Sequence, residues 1–409
     1  MSSMIRYELK KVFIKPSNQA SISLLLITLV VTCFLAIRGD YYVDEQGRSE
    51  YGYHAIQKLK TEKKKWRGEL TTEKLEGVLK ADREVNQTDE YTSSNIQENN
   101  ISFSRKQGFA DIRGLINISF SKFREYDYFM IDSLSEEEIH HFYSNRIEHL
   151  NTWLRDETGD LFNEKEKNYL VSQYEKLKTP VTYDYADGWK QALLYLPTLI
   201  ILTALIIGFL VSGIFSGEFQ EKAESVWFAS YYGRNKAIRS KIITGVLLAT
   251  VVYWVTMLLY SGVLFALFGM DGANCVIQTD SSSWKSMYNI TFFQEYQIAL
   301  FGGYLGVILI SIVTMCISSG TKSGVIAATM PFLLIFLPPI LGNLSVFSDI
   351  QGLFPSELLS ITSAVGTFAL YQIGQDIIPS VPLLFIVYIP VCILLIPVLY
   401  RVTCKTEIV

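Results

Sequence analysis

The sequence predicts an all-α integral membrane protein: six transmembrane helices, an N-terminal interfacial helix, and a large helical extracytoplasmic domain between the first and second spans. Three observations carry this expectation. Six apolar stretches approach or exceed the length that crosses a bilayer core, about 20 residues. Charge is segregated, with 23 of the 36 Lys and Arg and 29 of the 40 Asp and Glu confined to residues 38–190. The basic residues outside that block fall on alternate connections. The net charge of −4 therefore averages two regimes and says little about partners.

Residues 1–19 read as a cytoplasmic amphipathic elbow helix. Met4, Leu9, Val12 and Phe13 can face lipid while Lys10, Lys11 and Lys15 stay wet. The first span follows at 20–37. Its exit, Ile37-Arg38-Gly39-Asp40-Tyr41, has no small-residue cleavage site, so it is expected to be retained.

Residues 38–190 form the expected extracytoplasmic helical domain. It contains none of the five cysteines and must rely on its own core. Ile56, Leu59, Trp66, Leu70, Leu75 and Leu79 recur near helical spacing, with Lys63 on the same stripe, and predict a helical tract over 51–85. Ser135-Glu136-Glu137-Glu138 is a capping-box pattern ahead of Ile139, Phe142, Ile147, Leu150 and Leu154, and 160–178 reads as a further helix. The stretch between these tracts looks less regular. Lys63-Lys64-Lys65 reads as a solvated face. The four histidines, His54, His140, His141 and His149, lack the three or four convergent ligands of a zinc site.

The remaining spans fall at 193–215, 242–268, 298–318, 324–344 and 377–400, a five-helix region within 191–409. In lipid such segments must satisfy their own backbone hydrogen bonds, so they are helices. Their drawn limits contain no ionisable residue, and Glu295 falls just outside the fourth. Pro331, Pro338, Pro339, Pro379, Pro382, Pro390 and Pro397 concentrate in the last two spans and favour kinks. Orientation follows from Lys and Arg in short connections. The N-terminal segment, the 216–241 connection, the Lys322 turn and the tail together carry twelve. The connections 269–297 and 345–376 carry one, Lys285. Both termini are thus expected in the cytoplasm.

The 216–241 connection is the most informative stretch. Glu218, Glu221 and Glu224 step by three along an expected helix, and Phe219, Val226 and Trp227 occupy another part of its surface. Tyr232-Gly233 breaks it, and Arg234 begins the return to the membrane. A short helix with apolar knobs and carboxylates suits docking into a partner's groove.

With these features the chain resembles the permease subunit of an ATP-binding-cassette (ABC) transporter of the type-2 export class. The resemblance covers the basic start Tyr7-Glu8-Leu9-Lys10-Lys11, the six spans, and the connection opening at Glu218 and closing on the Ser230 to Arg234 step. It extends to Leu353-Phe354-Pro355-Ser356 and Tyr371-Gln372-Ile373-Gly374 before the sixth span. Where family members often carry a Gly-Thr pair, this chain has Lys222-Ala223. The resemblance implies that 216–241 is a coupling loop docking on a separate ABC ATPase subunit, through Glu218, Phe219, Glu221, Glu224, Val226, Trp227 and Arg234. It also implies a second permease subunit, identical or not, and an outer segment at 345–376 that dips partly into the membrane. The insertion resembles those of some Gram-positive exporter permeases, which implies a bacterial cell membrane.

The chain has no phosphate-binding loop of its own. Gly320-Thr321-Lys322-Ser323 resembles the end of one but lacks the upstream glycine. It is therefore read as a non-enzymatic subunit, with no cofactor, metal or nucleic acid expected. A secondary transporter would need ionisable groups within its spans, and an intramembrane enzyme a catalytic group at depth. The remaining rival is a membrane-anchored sensor or scaffold that binds a ligand or partner through the inserted domain, although no cytoplasmic output domain is visible. Spans free of charge suggest an amphipathic or apolar substrate, such as a peptide antibiotic or a lipid-like compound.

Overall fold

The computed structural model describes residues 2–223, 230, 233–342, 344 and 346–405. Helix accounts for 74% of the structure, and the described strands form three two-stranded ribbons, so the fold is predominantly helical. Six helices are long and apolar enough to cross a membrane: Pro16–Gly39, Asp187–Gln220, Asn235–Phe268, Phe292–Thr321, Gly324–Gly342 and Ser380–Cys404, here called the first to sixth spans. The second has 34 residues, about 51 Å at 1.5 Å per residue, and so outruns a hydrocarbon core of about 30 Å. Its ends, and those of the fourth, carry polar groups that composition alone assigns to loops.

The second and fourth spans are the axis of the bundle, 67% and 61% buried, against 22% for the fifth and sixth. Without a hydrophobic drive between helices in lipid, close approach at small residues does the packing. A Cβ on Gly208 would lie 2.2 Å from Pro331 Cγ, which ties the second span to the fifth, and one on Gly303 would lie 2.6 Å from Ile200 Cδ1. Pro331, Pro338 and Pro339 lie inside the fifth span, and Pro390 and Pro397 inside the sixth. Pro379 instead ends a strand, and Pro382 falls in the first turn of the sixth.

Between the fifth and sixth spans come short helical turns at Ser348–Leu353, Pro355–Leu358 and Ile361–Val365, then a hairpin of Leu370–Ile373 with Asp376–Pro379. Leu359 and Leu358 press on Gly306, and Ile361 on Gly302. Gly306 is midway along the fourth span, so this segment is wedged deep into the bundle.

The body between the first and second spans departs from its sequence reading in three places. The 51–85 tract is two helices, Tyr53–Lys64 and Thr72–Asn86, separated by Gly68–Glu69, which pairs with Thr182–Tyr183. The 160–178 helix is shorter, Glu164–Glu175, fixed by an Asn163/Glu166 capping box. The middle is not irregular. It holds helices Ile96–Lys106 and Ala110–Phe120, and the second supplies Ile112, Leu115 and Ile116 to the centre of the core. Ser135 and Glu138 do make the reciprocal bonds of a capping box, ahead of the turn Glu138–His141 and the helix Phe142–Asp156.

This body is fused with the other connections at its end of the bundle. Trp284 enters its core, and Met287, Phe368 and Leu370 join a second cluster around Trp153 and Tyr174. The buried Arg146 guanidinium donates to the carbonyls of Trp284 (2.9 Å) and Ser286 (2.8 Å) and lies over the Tyr174 ring. The connections following the first, third and fifth spans thus form one layer.

A charged junction bolts this layer to the second span. Lys63 Nζ lies 2.7 Å from Asp187 Oδ2 and 3.2 Å from Asp111, and Lys190 Nζ lies 3.0 Å from Asp111 Oδ2. The Lys63-Lys64-Lys65 run is therefore not one solvated face: Lys63 is 7% exposed and Lys64 pairs with Asp271, while Lys65 stays in solvent. Burial opposes charge on Lys63, but the Asp111 and Asp187 carboxylates outweigh it, and its pKa is raised. Asp40 accepts a bond from Gln191 Nε2 at 2.9 Å, while its other oxygen is buried without a partner.

Burial and the neighbouring Asp187 raise the Asp40 carboxyl to about 7. A raised carboxyl stabilises the folded chain fully below its unfolded pKa of about 4 and loses that contribution as pH climbs through about 7. Asp40→Asn is therefore expected to gain thermal stability relative to wild type between about pH 5.5 and about pH 8.5. Parallel melting curves in detergent check this, and a difference that does not change with pH would contradict it.

Candidate functional site

The opposite end of the bundle gathers the elbow helix Ser2–Ile14, the ends of the second and third spans, the turn between the fourth and fifth, and the end of the sixth. Glu218 stands at its centre. The second span continues to Gln220, so Glu218 belongs to a helix and is 8% exposed. Its Oε1 accepts from Lys11 Nζ (3.1 Å) on the elbow helix and from Lys241 Nζ (2.9 Å) at the start of the third span. Lys241 is 1% exposed and also reaches Glu8 (3.1 Å) and the Ile214 carbonyl (2.7 Å). Two carboxylates and two ammonium groups from three helices thus close one bracket. Burial opposes the charge of Lys11, yet Glu218 and Glu221 outweigh it and its pKa is raised.

The other predicted site residues divide. Glu221 caps the second span, half-exposed, with its carboxylate 3.1 Å from Lys11 Nζ. The Phe219 ring lies 5.3 Å beneath the Lys322 ammonium. Lys222 adopts φ 54°, a left-handed residue that ends the helix, so the single helix expected to carry Glu218, Glu221 and Glu224 stops before Glu224. Glu224, Val226 and Trp227 lie outside the described residues, as does the side chain of Arg234. Gly233–Ala237 is a π-helical turn running directly into Ile238–Phe268, so Gly233 opens a helix here, and the return to the membrane is itself helical.

Hydroxyls lock the neighbouring helices. Ser216 N donates to Ser318 Oγ (3.1 Å), Ser318 Oγ donates to the Ser212 carbonyl, and Ser319 bonds Thr403 (2.9 Å). These join the second span to the fourth and the fourth to the sixth. Of Gly320-Thr321-Lys322-Ser323, the first two end the fourth span, and Lys322, at φ 57°, and Ser323 make the turn to the fifth. Between the elbow helix and the second and fifth spans lies a cavity of about 440 Å³, with Lys11 and Lys15 on one wall and Phe209, Val325 and Phe332 on the others.

Sequence reasoning missed the partners of Glu218. Glu8 and Lys11 read as part of the basic elbow start, with Lys11 on its wet face, and Lys241 as a charge that sets orientation. The readable signal was Lys241 directly abutting an uninterrupted apolar run, where a lysine needs an anion once the helix end is packed. Among the described residues no group of His, Cys, Asp or Glu is arranged to hold a metal ion. The bracket fixes the end of the second span to the elbow helix and to the start of the third span. Compared with known family models, curated proteins and solved structures, the chain matches none.

Proposed function

We propose that this chain is the transmembrane permease subunit of an ATP-driven ABC exporter in a bacterial cell membrane. In this reading both termini and the 216–241 connection are cytoplasmic, and the 38–190 domain lies outside. A separate ATPase docks on the connection, a second permease subunit completes the complex, and the cargo is amphipathic or apolar.

The observation that carries the reading is the Glu218 bracket. Motion imposed on the connection has a direct route into the membrane, because Glu218 is held to the elbow helix by Lys11 and to the third span by Lys241. Load on a flexible tether would dissipate, whereas a buried, multiply paired group moves with its neighbours. Two further facts support it. Connections with twelve of the thirteen basic residues counted outside 38–190 gather at this end, as positive-inside topology requires. The faces left exposed on the fifth and sixth spans, including Phe332, Phe336, Ile386 and Ile393, suit lipid and a second subunit.

The test is affinity purification of the tagged chain from its native membranes. An ATPase bearing a phosphate-binding loop is expected to co-purify. Trp227→Ala is expected to cut its recovery at least about tenfold at unchanged chain level, since buried aromatic anchors dominate such contacts. A chain that brings down no ATPase, but binds a ligand through its inserted domain, would favour the sensor reading instead.

A further inference from the structure

A cavity of about 530 Å³ lies where the second span, the fourth span and the domain-bearing layer meet. Its walls are the start of the second span (Leu193, Leu194), the start of the fourth (Phe292, Glu295), the 280–283 loop and the wedged 362–367 segment. Glu295 is 6% exposed, and its carboxylate has no hydrogen bond or ion pair among the described residues. It is not outside the span: the helix begins at Phe292, capped by Thr291 and Gln294, so Glu295 sits in its first turn.

A buried carboxylate without a partner is costly, and a fold that keeps one facing a cavity has reason to do so. Asp280 lines the same cavity, and among the described residues its side chain accepts one bond, 3.3 Å from Ser282 N. An unpaired buried carboxylate gains most from a cation that enters beside it. Lys190, the one basic group on the wall, is paired at 3.0 Å with Asp111 and also feels Asp280, which leaves Glu295 as the uncompensated carboxylate. The apolar walls, Leu193, Phe292 and Val365, run to a rim at Leu194, which is 64% exposed near the start of the second span.

We propose that this cavity binds the ammonium group of an amphipathic cation at Glu295, with the apolar part of the ligand against Leu193, Phe292 and Val365. This names a cargo class for the proposed exporter and rests on that reading only for the word cargo. Binding is measured without an ATPase, so its failure would leave the co-purification result standing, and the reverse also holds.

The experiment is calorimetric titration of the full chain in zwitterionic nanodiscs, at about pH 8, where carboxylates are ordinarily charged. The probes are n-octylammonium, n-octanol and n-octanoate, each corrected for empty nanodiscs. Octylammonium is expected to bind saturably, and octanol and octanoate at least about tenfold more weakly. Glu295→Gln keeps the shape, removes the buried charge, and is expected to weaken octylammonium by a similar factor. Equal binding of octylammonium and octanol by wild type would overturn the proposal without reference to any variant. So would undiminished octylammonium binding by a folded Glu295→Gln chain.

Discussion

Lys63→Met is expected to lower stability by about 3–5 kcal/mol, the usual cost of removing one partner from a buried ion pair. Methionine fills the space, but three carboxylates then face one another. Asp187 is left without its 2.7 Å partner, Asp111 keeps Lys190 as its ion pair among the described residues, and Asp40 loses the positive charge of Lys63 acting on it. Because Lys63 sits on the Tyr53–Lys64 helix and Asp187 opens the second span, the loss falls on the seam between the inserted body and the bundle. Limited proteolysis should therefore cut the 38–190 body sooner, before the spans unfold. Asp187→Asn in the Lys63→Met background is expected to restore part of the loss, because neutral groups can share that space. A melting temperature within a degree or so of wild type would show that the junction contributes little.

Lys241→Met is expected to produce a loss of similar size, about 3–5 kcal/mol, at the other end. Lys241 is the most buried charge of the Glu218 bracket and, among the described residues, the group there that pairs with both Glu8 and Glu218. Without it Glu218 retains Lys11, while Glu8 has no remaining ion-pair partner among the described residues. The double variant Lys241→Met/Glu218→Gln should recover stability relative to Lys241→Met alone. Coupling between the two positions of at least about 1 kcal/mol is expected, as for groups in direct contact. Additive effects would mean that the bracket is not a unit. A partner docked on the 216–241 connection should also bind less firmly to Lys241→Met, because the base at Glu218 is no longer fixed to the third span.

The six spans were legible because a run of about 20 apolar residues is a property of composition and needs no knowledge of neighbours. The helices of the inserted body were legible only where one face stays wet. Ala110–Phe120 escaped because Ile112, Arg113, Leu115, Ile116, Asn117, Ile118 and Ser119 are all buried. A helix covered on nearly all sides shows no clear amphipathic period. Lys63 carried contradictory signals: its neighbours suggested solvent, whereas its place on the Ile56 and Leu59 stripe agreed with burial, and the stripe prevailed.

Among the site residues, Glu218 was legible as the start of a special connection but not as a buried group. Its partner Lys11 lies 207 positions away, and nothing local announces the pairing. Glu295 was set aside because the apolar run begins after it. The capping pattern Thr291-Phe292-Phe293-Gln294 was in the sequence and would have moved the helix start far enough to include it.

The account depends on which side of the membrane the Glu218 end faces. With the five native cysteines replaced, single cysteines at Ser230 and Asp160 place one thiol on an exposed site at each end of the bundle. In intact cells a membrane-impermeant maleimide should label Asp160→Cys and spare Ser230→Cys, and opening the cells should expose the second. Labelling of Ser230→Cys in sealed cells, with Asp160→Cys protected, would place the connection beyond the reach of any cytoplasmic ATPase and contradict the proposed function.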